Sequence, residues 1–406
     1  MKILMLTPYL PYPLVSGGQI RTYNLLKNLS KKHEITLFAL IKEERERQYI
    51  KHLEPFCKKI QVFKRSTKPF TLRNIFKAAF SLYPFVVTRN LVPETIEAVK
   101  TELESAKYDL IHAETFYMMP NIPKTKIPIM LVEQTIEYLG YQSYAQSSKL
   151  WFLKPFLYID IAKIKYWENY YWQYCNRLIT MSPNDREYIL EENPKIKQVD
   201  VVANGVDTDY FDAMPKKLPS KPTILFVGTF YWLPNVQAVN YLVKEIWPII
   251  REKLPQAHLH IVGFRPTAEI QSYNKLPHVQ VSGSIKDIRT AYSGAHALLA
   301  PVMWGKGTRY KILEAMATKT PIVATPLAVE GIEGLQIGTH VVIGNTPEEL
   351  ADATIKTLLD KKFQQQLAIN SYQLVTKHYN WQAISKDLDR LYSAVGQQNK
   401  SHRKAA

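Results

Sequence analysis

Short apolar runs, each about one strand long, alternate along this chain with stretches whose apolar residues fall at helical spacing. The first series contains Ile3-Leu4-Met5-Leu6, His33 to Leu40, Asp109 to Ala113, Ile127 to Val132, Leu178 to Met181 and Val199 to Val202. The second contains Thr223 to Gly228, His258 to Gly263, Val279 to Gly283, Ala297 to Pro301, Pro321 to Thr325 and His340 to Ile343. Continuous apolar strands are buried on both faces, and their alternation with helices specifies a parallel, doubly wound α/β sheet. Between the two series, Ala213 to Pro222 carries three prolines and three lysines without periodicity. This segment reads as a linker at 213–222 between a domain over 1–212 and a second over 223–380, with a disordered tail at 396–406. Open α/β sheets bind ligands beyond the carboxyl ends of their strands, so two such domains facing one another would make a cleft.

The length of 406 residues exceeds what one core usually organises. Hydrophobic residues at 46% and charged residues at 22% exclude a largely disordered chain or a fibre. No apolar run is long enough for a membrane-spanning helix, and the first residues do not read as a signal peptide. The two cysteines, Cys57 and Cys175, cannot staple a chain of this size, which points to a reducing, cytoplasmic setting. A net charge of +16 attracts polyanions: nucleic acid, anionic lipid or phosphorylated small molecules. Residues 1–100 carry 18 basic and 7 acidic side chains, residues 101–212 carry 11 and 16, and residues 213–406 carry 23 and 13; the excess therefore lies in the two outer stretches. No zinc-finger or RNA-recognition pattern accompanies it, so nucleic acid is not the expected partner. Neither a metal-ligand spacing nor a P-loop is present, and neither a metal nor a cofactor is expected.

Chemistry-bearing residues concentrate between Pro301 and Ala317. A strand ends at Pro301, a loop with Gly305 and Gly307 follows, and Tyr310 begins a helical pattern. Backbone N–H groups at a helix start favour phosphate, and Arg309 and Lys311 add positive charge there. Glu314, about a turn further on, is placed to accept hydrogen bonds from hydroxyls. A diphosphate next to a ribose suits this set; a tight turn with an exposed basic pair and a solvated Glu fits the same spacing. Ser16-Gly17-Gly18 forms a second loop where a backbone can approach a ligand closely. At the carboxyl end of the third run, His112 and Glu114 project to the same side, and Glu114 is the better cleft candidate.

Ser16-Gly17-Gly18, Asn204 to Phe211, Phe226 to Asn235, Gly307-Thr308-Arg309-Tyr310-Lys311-Ile312-Leu313-Glu314-Ala315-Met316-Ala317 and Thr320 to Thr325, in this order along the chain, resemble the family 4 glycosyltransferases. The resemblance spans almost the whole chain. It implies the GT-B fold of two Rossmann-like domains, with a C-terminal helix at 381–395 packing back on the first. It also implies retaining transfer of a sugar from a nucleotide-diphosphate sugar, without metal, to a glycan or lipid-linked glycan in cell-surface polysaccharide synthesis. Carried over by residue, Glu314 binds the nucleotide ribose, Arg309 and Lys311 the diphosphate, and Gly17, Gly18 and Gly228 approach the donor. Glu114 joins Arg309 and Lys311 as a catalytic candidate, and Glu114 and Glu137 are acceptor-binding candidates. Two departures stand out: Lys306 occupies the place of the first Glu of the Glu-x7-Glu motif, and Glu114 that of a histidine. They motivate an alternative, a catalytically silent nucleotide-sugar binding or scaffold protein of the same fold.

Two segments mix bulky apolar residues with Lys and Arg, 68–92 and 149–160, the latter leading into Tyr166 to Trp172. Such segments suit the surface of an anionic membrane, so peripheral association at the inner face of the membrane is a further expectation. The alternative for the Tyr166–Trp172 cluster is packing in the core or stacking on an acceptor.

Overall fold

The computed structural model describes residues 1–66, 80–147, 152, 154–230, 232–304 and 309–405. The chain divides into two units, one of Met1–Ala203 with Ile384–Ala406 and one of Asn204–Ala383.

The first unit is built on seven parallel strands: β1 (Lys2–Thr7), β2 (Glu34–Ile41), β3 (Lys59–Lys64), β4 (Leu110–Glu114), β5 (Ile129–Val132), β6 (Arg177–Thr180) and β7 (Val199–Val201). Their order is β3-β2-β1-β4-β5-β6-β7. Six coincide with the apolar runs. The seventh, β3, lies at the sheet edge, where only Val62 is buried, and its sequence Lys-Ile-Gln-Val-Phe-Lys lacks a continuous apolar run. Its principal helices are α1 (Gly17–Leu29), α2 (Pro93–Ser105), α3 (Glu137–Ser147), α4 (Lys154–Tyr174) and α5 (Pro183–Glu192). Both faces of the central strands are covered. Leu4, Leu6, Ile111, Ala113 and Leu131 join one core cluster, while Ile3 and Met5, pointing the other way, are equally inaccessible.

Ser16-Gly17-Gly18 is not the loop expected from sequence. Ser16 is the N-cap of α1, its Oγ accepting the Gln19 N–H at 3.4 Å, and the two glycines are the first helical residues. A serine oxygen satisfies a donor that the helix start leaves without an intrahelical partner, and this starts the helix earlier than the glycines suggest.

The second unit has six parallel strands: β8 (Thr223–Val227), β9 (His258–Val262), β10 (Val279–Ser282), β11 (Ala297–Ala300), β12 (Ile322–Ala324) and β13 (Val342–Ile343), in the order β10-β9-β8-β11-β12-β13. Its principal helices are α6 (Leu233–Tyr241), α7 (Tyr310–Ala317), α8 (Pro347–Leu359) and α9 (Lys361–His378). Residues 213–222 belong to this unit. Lys216 Nζ donates to the Tyr292 carbonyl at 2.8 Å and Ser293 Oγ to the Pro215 carbonyl at 2.5 Å.

The last helix, α10 (Trp381–Ala405), runs past residue 395 and through the tail expected to be disordered. Ile384, Leu388, Leu391, Tyr392 and Val395 form its buried stripe at helical spacing. Its Asp389 accepts from Lys32 at 2.6 Å and lies 2.9 Å from His33 Nε2, both within the first unit.

Both sheets have the doubly wound order, in which the chain reverses direction between its first and fourth strands. The crevices that such sheets offer to ligands lie beyond the carboxyl ends of β1 and β4 in one unit, and of β8 and β11 in the other.

Candidate functional site

At the first switch point the structure assembles a buried polar chain. Parallel register sets His112 beside Met5 and Met130, and Glu114 beside Val132 at the end of β4. Both side chains are 0% exposed, with His112 Nε2 and Glu114 Oε1 3.1 Å apart. On the far side of the ring, His112 Nδ1 and the Tyr392 hydroxyl are 2.6 Å apart, so α10 orients the imidazole. Glu114 Oε2 accepts from Gln134 Nε2 at 2.8 Å, and the same amide donates to the Tyr9 hydroxyl at 2.5 Å. Tyr9 in turn lies 3.2 Å from Thr22 Oγ1 on α1. Burial opposes ionisation of Glu114. The hydrogen bond and charge of His112, the Arg21 guanidinium and the Gln134 amide outweigh it and hold the carboxyl below its usual range.

Gly18 is what lets this chain close. A Cβ there would stand 2.5 Å from the Tyr9 hydroxyl and 2.6 Å from Gln134 Oε1. Immediately after Glu114, Thr115 has φ +69°, a conformation costing a β-branched residue about 1–3 kcal/mol. Its N–H is tied to the Val132 carbonyl at 2.8 Å. Glu114 is therefore not the open cleft residue its place near the strand end suggests: both carboxylate oxygens have partners and neither is accessible.

A second group of acids lies alongside. Glu168, 0% exposed, accepts the Glu137 and Tyr138 N–H groups at 2.8 and 3.1 Å and so caps the start of α3. Glu133 accepts from the Trp172 indole at 3.0 Å and the Phe116 N–H at 3.3 Å. Burial raises all three carboxyls: Glu133 to about 8, Glu137 to about 7, and Glu168 well above its ordinary value. Repulsion adds to the rise: Glu137 and Glu114 act on Glu133, and Glu133 and Glu137 on Glu168, because buried anions disfavour one another. Glu137 sits half-buried in the first turn of α3.

The second unit carries the basic residues. Gly305, Lys306, Gly307 and Thr308 lie outside the described residues; the description resumes at Arg309, the N-cap of α7. Arg309 Nη2 donates to the Trp304 carbonyl at 3.3 Å, and burial lowers its pKa against the pull of Glu330. Lys311 is only 8% exposed. Its Nζ donates to Asn235 Oδ1 at 2.9 Å and sits 4.2 Å from the centre of the Phe226 ring. Burial, with Arg309 adding to it, brings the Lys311 pKa down to about 7. Burial thus opposes the full positive charge expected from sequence at Lys311. Glu314 accepts the Tyr292 hydroxyl at 2.8 Å, and burial raises its carboxyl despite that bond and Lys311. Gly228 ends β8 at the same place. A Cβ on it would come within 2.9 Å of Asn235, and one on Gly263 would fall 1.6 Å from the Gly228 carbonyl. Two neighbouring strand ends thus approach more closely than any side chain allows.

Sequence reading groups Gly17, Gly18, Gly228, Arg309, Lys311 and Glu314 as donor-binding, and Glu114 with Arg309 and Lys311 as catalytic. Within the first unit Gly18 and Glu114 meet at Gln134, with Gly17 beside Gly18 at the start of α1; within the second, Gly228 and Lys311 meet at Asn235, with Arg309 and Glu314 at the same helix start. Glu137 falls instead with the acids at α3. Tyr9, Thr22, Asn235, Tyr292 and Tyr392 escape a reading by motif. Asn235 closes the Phe226–Asn235 run, but Tyr292 and Tyr392 carry no local signal.

Two family models match, one after the other: Glycosyltransferase Family 4 over residues 15–210 and Glycosyl transferases group 1 over 221–360. The chain belongs to the family 4 glycosyltransferases. This glycosyltransferase is 21% identical to an uncharacterized 44.6 kDa protein in the cps region of Klebsiella pneumoniae, over 98% of this chain and all of the other. It is 26% identical to the phosphatidyl-myo-inositol mannosyltransferase of Mycobacterium leprae over 204 residues, 48% of this chain and about half, 53%, of that protein. Among solved structures, sucrose-phosphate synthase from Thermosynechococcus elongatus superposes with a TM-score of 0.71 at 19% identity, covering 97% of this chain and 99% of the other. Anabaena HepE in complex with UDP-glucose does so at 0.65 and 16%, covering 97% and 100%. At these identities the likeness establishes the fold, the domain pair of the GT-B class.

Proposed function

We propose that this glycosyltransferase moves a sugar, with retention and without a metal ion, from a nucleotide-diphosphate sugar to a glycan or lipid-linked glycan in surface polysaccharide synthesis. The observation that carries the reading is the trio Arg309, Lys311 and Glu314 at the start of α7, beyond the carboxyl end of β11. Arg309 and Lys311 would meet the diphosphate, whose oxygens gain charge as the glycosidic bond breaks. Cations already held in a poorly hydrated pocket stabilise that charge more in the transition state than in the ground state. Lys311, near 7 when alone, would regain its proton beside a dianion. Glu314, held by Tyr292, would accept the ribose hydroxyls. The crystallised relative HepE holds UDP-glucose, which makes UDP-sugars the first donors to try. The cps-region relative supports the polysaccharide context.

The engagement of both Glu114 oxygens favours a second reading, a silent nucleotide-sugar binder. Thermal-shift and hydrolysis measurements with UDP-, GDP-, ADP-, dTDP- and CMP-sugars separate the two. A shift with one nucleotide class, lost in Arg309→Ala and Glu314→Ala, supports the donor site; release of that nucleotide supports the transferase over the silent binder, and no shift with any donor counts against both.

Peripheral attachment to an anionic membrane forms part of the proposal. Residues 67–79 and most of 148–153 lie outside the described residues, but Phe80, Leu82, Phe156 and Ile159 nearby are 87%, 84%, 71% and 59% exposed. No described helix is long and apolar enough to cross a membrane. Flotation with anionic liposomes at low salt tests attachment, and protein left wholly in solution would remove it.

A further inference from the structure

The C-terminal half of α4 differs from its beginning. Where α4 starts, the two most exposed large side chains, Phe156 and Ile159 at 71% and 59%, are purely apolar, with one phenol, Tyr158 at 43%, between them. Further along, Tyr166, Tyr170 and Tyr174 follow at four-residue intervals, 64%, 44% and 46% exposed, and so lie along one face of the helix. Their neighbours Glu168, Tyr171 and Trp172 point inward and are buried. The Tyr170 and Tyr174 rings run nearly parallel, 15° apart with centres 6.0 Å from each other.

Between these rings and the end of α5 lies an open depression of about 550 Å³, lined by Tyr166, Asn169, Tyr170, Gln173, Tyr174 and Asn193. Among the described residues, three phenols and three carboxamides line it, and no charged side chain does. The amides are already ordered: Gln173 Nε2 donates to Asn193 Oδ1 at 3.3 Å, Asn193 Nδ2 donates to Asn169 Oδ1, and Asn169 Nδ2 donates to the Lys165 carbonyl at 2.7 Å. The nearby ammonium, Lys165, is paired with Glu192 at 2.7 Å.

We infer that this depression is a docking site for a neutral oligosaccharide, separate from the donor and Glu114 clusters. Pyranose rings have apolar C–H faces edged by hydroxyls. Flat exposed phenols supply large rigid contact area for the faces, and the amides offer both donors and acceptors to the hydroxyls. Because the amides hold one another in place, little side-chain freedom is lost on binding. Charge selects the ligand class: on a protein of net charge +16 this surface presents no cation, so it offers nothing specific to a nucleic acid, a sulfated glycan or an anionic headgroup. A lipid surface would use the apolar start of the helix, not a hydroxyl-and-amide stretch.

The choice of saccharide as ligand class rests on the transferase reading, and the site would serve to hold a growing acceptor chain while its end reacts elsewhere. The test is saturation-transfer NMR and titration of the full chain with maltohexaose, cellohexaose, mannohexaose and galactohexaose, with a hyaluronan hexamer as the anionic comparison. The expected result is millimolar binding of at least one neutral hexamer, weakened tenfold or more by Tyr170→Ala with Tyr174→Ala, about threefold or more by Gln173→Ala, and not by Tyr144→Ala elsewhere in the unit. Gln173→Ala removes only an exposed amide, which guards against a misfolded double variant. Absence of binding by every neutral hexamer, binding unchanged in the variants, or preference for the hyaluronan hexamer would each overturn the site. So would loss in the double variant of flotation with phosphatidylglycerol vesicles in place of saccharide binding. Nucleotide-sugar hydrolysis, measured in parallel, keeps the two failures apart: saccharide binding without hydrolysis removes the transferase and leaves the site, while hydrolysis without saccharide binding does the reverse.

Discussion

Donor affinity is expected to fall as pH rises through 7, with Lys311 as the cause. The ammonium is buried against Phe226 and donates to the neutral Asn235 amide, and its pKa has dropped from 10.5 to about 7. A bound diphosphate favours the charged form, so binding takes up a proton whenever the free lysine is neutral. The apparent Kd then grows as one plus the ratio of neutral to charged lysine. Between pH 6.5 and 8.5 that amounts to about 25-fold, or about 1.9 kcal/mol, for a free pKa near 7. The phosphates of a nucleotide-diphosphate sugar do not titrate in this window, so the slope belongs to the protein. Glu137 and Glu133, in the first unit, titrate in the same pH range, at about 7 and 8, which makes the variants essential. Lys311→Arg keeps its charge throughout and should bind with a flat profile. Lys311→Met should bind weakly at every pH, also with a flat profile. Isothermal titration with the donor found in the screen, in two buffers of different ionisation enthalpy, counts the proton directly. A flat wild-type profile, or an unchanged slope in Lys311→Arg, would refute the assignment.

Three further outcomes follow from the first unit. Gly18→Ala forces a Cβ against the Tyr9 hydroxyl and the Gln134 amide; a loss of about 1–3 kcal/mol in urea unfolding is expected, with Glu114 shifting upward in a carboxyl-resolved NMR titration as its Gln134 bond breaks. Tyr392→Phe leaves His112 Nδ1 buried without its 2.6 Å partner and should cost about 1–3 kcal/mol in the same assay. Glu133 holds its proton to about pH 8 in the folded state against 4.5 as the ordinary value. The folded protein therefore binds more protons than the unfolded chain in that window, and the stability gained from the neutral carboxyl, complete below about 4.5, is lost as pH rises towards 8. Glu133→Gln removes this titration, so the variant should lose about 3.5 kcal/mol less than wild type between pH 5 and 8, read from denaturation midpoints at each pH.

The twelve apolar runs correspond to twelve of the thirteen strands: nine are interior strands, where burial on both faces favours a run of apolar residues, and three, β7, β10 and β13, are edge strands that keep two or more β-branched residues. The edge strand β3 buries only Val62, lacks a continuous apolar run and stayed illegible. Arg309, Lys311 and Glu314 could be found because a strand end, a loop and a helix start place them within one short segment. Their electrostatics could not: the sequence presents Lys311 as a full cation, and only the packing of Phe226 and Asn235 around it reveals a group poised near neutrality. Distance along the chain hid the rest. Tyr392 lies 280 residues from His112, and Tyr9 lies 125 from Gln134, so no local pattern links them. Ser16 shows the converse, since a single N-cap bond turned an apparent glycine loop into the first turn of a helix. Alternation of elements is set by local periodicity and can be read from the chain. The protonation of a lysine, the closure of a hydrogen-bond chain through Gly18, and which tyrosines of α4 face outward depend on what is packed beside them, and tertiary structure alone decides that.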